Sequence, residues 1–160
     1  TLDSAGKCSF PNGGAGKILQ VVIAQTATQA STSSQTFAEI TTDLRATIVP
    51  TSATSKIIVD VSLYYSSNGS TATTRILRDG STMVSGASTS QTNDGDGTIY
   101  IAANWMAVIS RTVFETAGNT NSRYYSPFWN TNSGTVYFNR YQSNATYLGT
   151  SSIKVMEVGA

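Results

Sequence analysis

The chain has 160 residues, a net charge of +1, 12 % charged residues and 46 serines and threonines. That is long enough for one domain with a real core, and its surface must be hydrated by hydroxyls and amides more than by charge. The scattered basic residues argue against a nucleic-acid face, and no run of eighteen apolar residues exists to cross a membrane. Residues 1–16 are polar and end in Pro11-Asn12-Gly13-Gly14-Ala15-Gly16, which predicts a linker or arm leading into a single domain over residues 17–160. Residues 17–25 (KILQVVIAQ) give the first strand. Residues 27–34 read as a polar connection, and residues 35–41 and 44–49 as two further extended segments.

The clearest alternation lies in residues 55–65, SKIIVDVSLYY. Ile57, Val59, Val61, Leu63 and Tyr65 fall on one face of an extended strand, with Lys56, Asp60 and Ser62 on the other. Period-two alternation marks a sheet with one buried side. Residues 71–78 run into Asp79-Gly80, a type I′ hairpin signal because both central positions need positive φ. Residues 86–97 form a long polar loop. Residues 98–110 (TIYIAANWMAVIS) read as one long strand, apolar on both faces, one of which suits a subunit interface. Residues 123–129 and 135–141 flank NTNSG as a hairpin, and residues 152–158 close the domain. Eight to ten short strands without a helical period predict an all-β fold, an antiparallel β-sandwich of jelly-roll-like form.

Candidate chemistry is sparse. Asn93-Asp94-Gly95-Asp96-Gly97 places oxygen ligands at short spacing, so Asn93, Asp94 and Asp96 are the candidate ligands for a Ca²⁺ ion; no other cofactor is expected. The bidentate glutamate of a full calcium loop is missing, and a plain solvated loop is the leading reading of the segment. The aromatic-rich region around residues 124–141 suggests glycan recognition, with Tyr124, Tyr125 and Trp129 as stacking faces and Asn130 and Asn132 as hydroxyl partners. Tyr and Trp on strands are more often core or cross-strand pairs. The strand-borne arginines point to ion pairs with Asp60, Asp79 or Glu115. Without histidine the many serines lack their usual activating base. An Asp60–Glu115 carboxylate pair is the residual route to glycoside hydrolysis. Cys8 is the lone cysteine, so no intrachain disulfide forms, in keeping with folding in a reducing compartment.

Taken together, GGAGKILQVV, TSATSKIIVDVSLYYSS, RILRDGSTMVSG, RYYSPFW with NSGTVYFNRY, and SSIKVMEVGA resemble the C-terminal domains of tail-fibre-like or other surface structural proteins of marine and cyanobacterial tailed phages. The resemblance implies a non-enzymatic, homotrimeric, β-rich domain on the virion surface, used for host attachment or particle building. It also implies that the arm over residues 1–16, with its DSAGKCSFPNGG segment, is the junction to a fibrous stem, that the N-terminal side contacts other virion proteins, and that Thr1 falls inside a longer protein. A host-surface glycan is the expected ligand. The alternatives are a monomeric secreted carbohydrate-binding module and a polysaccharide depolymerase.

Overall fold

The computed structural model describes residues 16–84 and 95–159. Among them the alternating hydrophobic pattern becomes twelve strands: β1 (Ile18–Thr26), β2 (Ala30–Thr32), β3 (Ala38–Glu39), β4 (Ala46–Ile48), β5 (Lys56–Ser67), β6 (Ser70–Arg78), β7 (Thr82–Met83), β8 (Gly97–Ile101), β9 (Met106–Thr116), β10 (Arg123–Thr131), β11 (Val136–Phe138) and β12 (Ser151–Val158). A single 3₁₀ turn, Thr42–Leu44, is capped by the Thr41 hydroxyl, which accepts from the Asp43 N–H.

All pairings are antiparallel, and they build two sheets. In one, β5 carries β9 along one edge, and β12 followed by β11 along the other; β1 pairs with β12 and β2 with β11. In the other, β10 and β6 form the centre, β4 and β3 share the free edge of β10, and β8 and β7 share that of β6. The eight principal strands therefore run β1-β12-β5-β9 in one sheet and β4-β10-β6-β8 in the other. First beside last, third and sixth, facing second, seventh, fourth and fifth, is the doubly wound Greek-key order of an eight-stranded jelly roll. The sequence expectation of an antiparallel, jelly-roll-like sandwich holds.

The core lies between the sheets. Ile57, Val59, Val61, Leu63 and Tyr65 of β5 are all buried, as the alternation predicts. Ile153 and Val155 of β12 lie beside them, and Ile76, Tyr125 and Trp129 face them from the other sheet. Burying each such side chain contributes about 1.5–3 kcal/mol. Tyr65, Trp129 and Phe138 form an aromatic knot that bridges the sheets. Tyr65 stacks on Trp129 with ring centres 5.8 Å apart, and Phe138 lies 5.9 Å from Tyr65 and 6.1 Å from Trp129. The Tyr65 hydroxyl bonds to Thr74 Oγ1 at 3.0 Å, so the one polar atom of the knot is satisfied.

The Asp79-Gly80 turn forms as its chemistry demands. Both residues take positive φ, 52° and 71°, and the Ser81 N–H donates to the Arg78 carbonyl. Three expectations need correction. Residues 98–110 are not one strand: the chain turns at Ala102–Trp105, where Asn104 adopts φ of 65°, and crosses from β8 in one sheet to β9 in the other. Asparagine tolerates the left-handed region, so this corner has no glycine or proline to announce it. NTNSG is not a hairpin loop either, because β10 and β11 belong to different sheets. The polar stretch 27–34 contains an edge strand, β2, which owes its pairing to β11 and not to hydrophobic pattern.

Candidate functional site

The residues selected from sequence as a glycan platform do not converge. Odd-numbered positions of β10 face the core. Tyr125 is buried there, and its hydroxyl donates to Glu115 Oε1 at 2.6 Å. Burial, reinforced by that carboxylate, raises the Tyr125 phenol well above its ordinary range. Trp129 is 3 % exposed within the aromatic knot. Asn130 is buried too, and its Nδ2 donates to the Gln35 carbonyl at 2.8 Å. Tyr125, Trp129 and Asn130 are therefore removed from the set able to meet a sugar, because alternation places two inside the sandwich and the segment before β3 covers the third. Tyr124 lies on the outer face beneath the Arg45 guanidinium, 4.6 Å from its ring centre. Asn132 is exposed, and its carbonyl accepts from Gln35 Nε2. Six residues of strand separate Tyr124 from Asn130, roughly 20 Å.

Of the candidate calcium ligands, Asn93 and Asp94 lie outside the described residues. Asp96 works as an edge stitch: its Oδ2 accepts from the Ile76 N–H, its own N–H donates to the Thr74 carbonyl at 2.8 Å, and its carbonyl accepts from Arg111 Nε at 2.7 Å. Among the described residues no group of three or more His, Cys, Asp or Glu gathers to hold a metal ion.

Asp60 and Glu115 lie on opposite faces of the same sheet. Glu115 stands opposite Ile57 on the core side, where it pairs with Arg78 and accepts from Tyr125. Arg123, almost fully buried, sits 4.0 Å from the same carboxylate and donates to the carbonyls of Ala117 and Asn119. Asp60 is on the outer side, 2.9 Å from Lys154 Nζ and 2.6 Å from Thr112 Oγ1. The two carboxylates cannot flank one glycosidic bond. A polar cleft of about 460 Å³ opens beside Arg78, Asn119 and Asn121, with its arginines already committed to Glu115 and backbone carbonyls.

Two surface features were not legible as sites in the sequence. The first is the outer face of the β1-β12-β5-β9 sheet. Register aligns Val21, Met156, Ile58 and Phe114 in one row across four strands. Phe114 is 69 % exposed, and Val21 and Ile23 on the edge strand are exposed as well. The next row, Ile23–Lys154–Asp60–Thr112, contains the ion pair and borders an open depression of about 440 Å³. The pattern alone marks Ile58 and Phe114 as outward, but only the register puts them side by side.

The second feature is the pole at the Tyr64–Ser67 end of β5. Here the β8–β9 corner meets the loop between β11 and β12. Trp105 and Tyr100 are each 68 % exposed, and Tyr147 is 62 % exposed. The two loops are tied: the Asn104 N–H donates to Gln142 Oε1 at 2.8 Å, and the Tyr141 hydroxyl donates to the Asn104 carbonyl at 2.7 Å. Tyr141 meets Tyr147 edge to face, ring centres 6.0 Å apart. Buried Asn139 anchors the loop base, donating from Nδ2 to the Thr26 and Thr28 carbonyls and accepting from Ser151 Oγ. The described chain enters and leaves at the other pole, where the Gly159 N–H donates to the Lys17 carbonyl. Roughly 35 Å of β5 separates the two ends.

This arrangement defines the class of protein by fold: an antiparallel jelly-roll sandwich with an apolar outer sheet face and an aromatic loop pole. No family model matches the chain, and no curated protein does. Among solved structures, one described as the structure of infectious bursal disease virus Gx strain aligns with a TM-score of 0.39 and 11 % identity, over 96 % of this chain and 41 % of that one. The chain thus spans less than half the length of that neighbour.

Proposed function

We propose that this domain is a non-enzymatic virion structural module of fibre type, which trimerises and serves host-cell attachment from the virion surface. The observation that carries the reading is the apolar row Val21–Met156–Ile58–Phe114 on the outside of a jelly roll. Jelly rolls recur in viral structural and lectin domains, a fold-level analogy that sets the class while the face supplies the particular argument. Contiguous exposed apolar surface in a protein so poor in charge calls for a covering partner. Four strands of eight to twelve residues, about 4.8 Å apart, present a common face of roughly 20 by 30 Å. That is comparable with the ~800 Å² each partner contributes to a stable interface. Neighbouring copies of the same chain are the occupants this reading assigns to it, and the N-terminal side leads to the rest of the particle.

The expected result is a trimer by light scattering over a broad concentration range, three times the protomer mass. Phe114→Asp places an unpaired charge at the β9 end of the row, on its most exposed side chain, and is expected to shift the trimer to monomer with the fold retained, because the ring makes little contact within its own chain. A wild-type chain that stays monomeric throughout contradicts the reading and favours a monomeric carbohydrate-binding module. Release of reducing ends from a host envelope polysaccharide would favour a depolymerase instead.

A further inference from the structure

We infer that the loop pole opposite the chain ends is a binding site for a neutral oligosaccharide, with Trp105, Tyr100 and Tyr147 as stacking faces and the Asn104 and Asn144 amides as hydroxyl partners; the inference deepens the attachment reading above and rests on it. Three observations carry it.

Exposure comes first. The fold buries Trp129, Tyr65 and Tyr125 with its full core, yet leaves three large aromatic side chains more than three-fifths exposed at one pole. Aromatic rings with one polar tip suit surfaces that are apolar in one part and wet in another. Flat apolar ring faces match the C–H faces of a pyranose.

Rigidity comes second. Asn104 holds a left-handed backbone, and its N–H and carbonyl are both tied to the neighbouring loop through Gln142 and Tyr141. Gln29 Nε2 donates to the Ala145 carbonyl at 3.0 Å, and the Asn144 carboxamide oxygen accepts from the Thr146 N–H and hydroxyl. In Gly149, a Cβ would come within 2.8 Å of the Tyr64 side chain, so the returning loop packs flat on β5 only with glycine there. Such preorganisation lowers the ordering cost of binding.

Charge comes third. Residues 97–110 contain no charged side chain, and residues 135–150 contain only Arg140. Its guanidinium is spent on the Tyr141 and Gln142 carbonyls and on the Tyr137 ring, 4.8 Å from the ring centre. Among the described residues, these two segments bring no carboxylate to the pole and only the one committed cation. Exposed amides and hydroxyls beside ring faces match a neutral sugar. A sialylated or sulfated one would ask for a free guanidinium fork.

The test uses the full chain on an array that carries neutral oligosaccharides of glucose, galactose, mannose and N-acetylglucosamine beside sialylated and sulfated ones. Trp105→Ala, Tyr147→Ala and Trp105→Phe are compared with the parent, and the buried Trp129 emission reports that each fold is intact. Binding to neutral probes is expected. Apparent affinity is expected to fall about thirtyfold in Trp105→Ala, the size of an aromatic hot spot, and less in Tyr147→Ala, while Trp105→Phe retains most of it. Neutral-glycan binding that survives both alanine variants overturns the site and leaves the attachment reading standing. Binding confined to charged probes overturns the ligand chemistry. Silence across the whole array overturns the inference, and the trimer measurement then decides separately whether the structural reading survives.

Discussion

Trp129→Ala is expected to destabilise the domain by about 3–5 kcal/mol, read as a fall in the urea midpoint. The indole is the member of the aromatic knot supplied by the second sheet, stacked on Tyr65 and set edge-on to Phe138. Its removal opens a cavity in the middle of the sandwich and deletes two aromatic contacts, each of about 0.5–1.5 kcal/mol beyond area burial. Trp129→Phe keeps a ring at the position and is expected to cost less than half as much. A sugar-stacking Trp129 predicts the reverse: lost ligand binding with the fold untouched. A midpoint unchanged in Trp129→Ala contradicts the packing described here.

Glu157 gives the second large effect, through acid. The carboxylate is fully buried at the β12 end of the sandwich, where Oε1 accepts from the Thr51 N–H and hydroxyl, both at 2.8 Å, and Oε2 accepts from Gln20 Nε2. Burial alone raises its pKa, and the hydrogen bonds from Gln20 and Thr51 outweigh it, holding the group at about 2 against an ordinary value of 4.5. A folded value below the unfolded one means the unfolded chain binds the proton first. The stabilisation is therefore complete above about pH 4.5 and is lost as the pH falls toward 2. Asp60 loses stabilisation in the same direction, since hydrogen bonds from Thr112 and Lys154 outweigh its burial and keep its carboxyl low. Glu157→Ala leaves the Thr51 and Gln20 donors without their acceptor and is expected to cost about 2–4 kcal/mol at pH 7. Denaturation series from pH 7 to pH 2 check both points: the difference between parent and Glu157→Ala should shrink as the pH drops. A difference independent of pH sinks the assignment.

The fold was largely legible because β5 and β12 are buried on one face only, so two-residue periodicity survives in the letters. The 152–158 segment even shows its buried glutamate in the apolar register. Where tertiary pairing decides, the letters are mute. β2 is only Ala-Ser-Thr, with no large apolar residue to mark it, and it exists because β11 offers a free edge. The corner at Asn104 hides inside an apolar run, since an asparagine can take positive φ without any glycine signal. The glycan residues were misplaced for a related reason. Aromatic density in residues 124–129 marks a strand that packs its odd positions inward, so the conspicuous Tyr125 and Trp129 are core. Trp105, by contrast, looked like a strand residue because the turn beneath it was not visible. Residues 98–110 are apolar on two sides because they belong to two strands in two sheets, whereas the exposed apolar row lies across β1, β12, β5 and β9.

The proposed reading divides the labour between two surfaces, the outer sheet face for neighbouring copies and the loop pole for ligand. An electron-microscopy structure of the assembled chain tests it most directly. A threefold axis is expected, with Val21, Met156, Ile58 and Phe114 covered by neighbouring protomers and Trp105 and Tyr147 free at the end remote from Gly16. A particle without threefold symmetry, or one that buries Trp105 between protomers and leaves Phe114 in solvent, contradicts it.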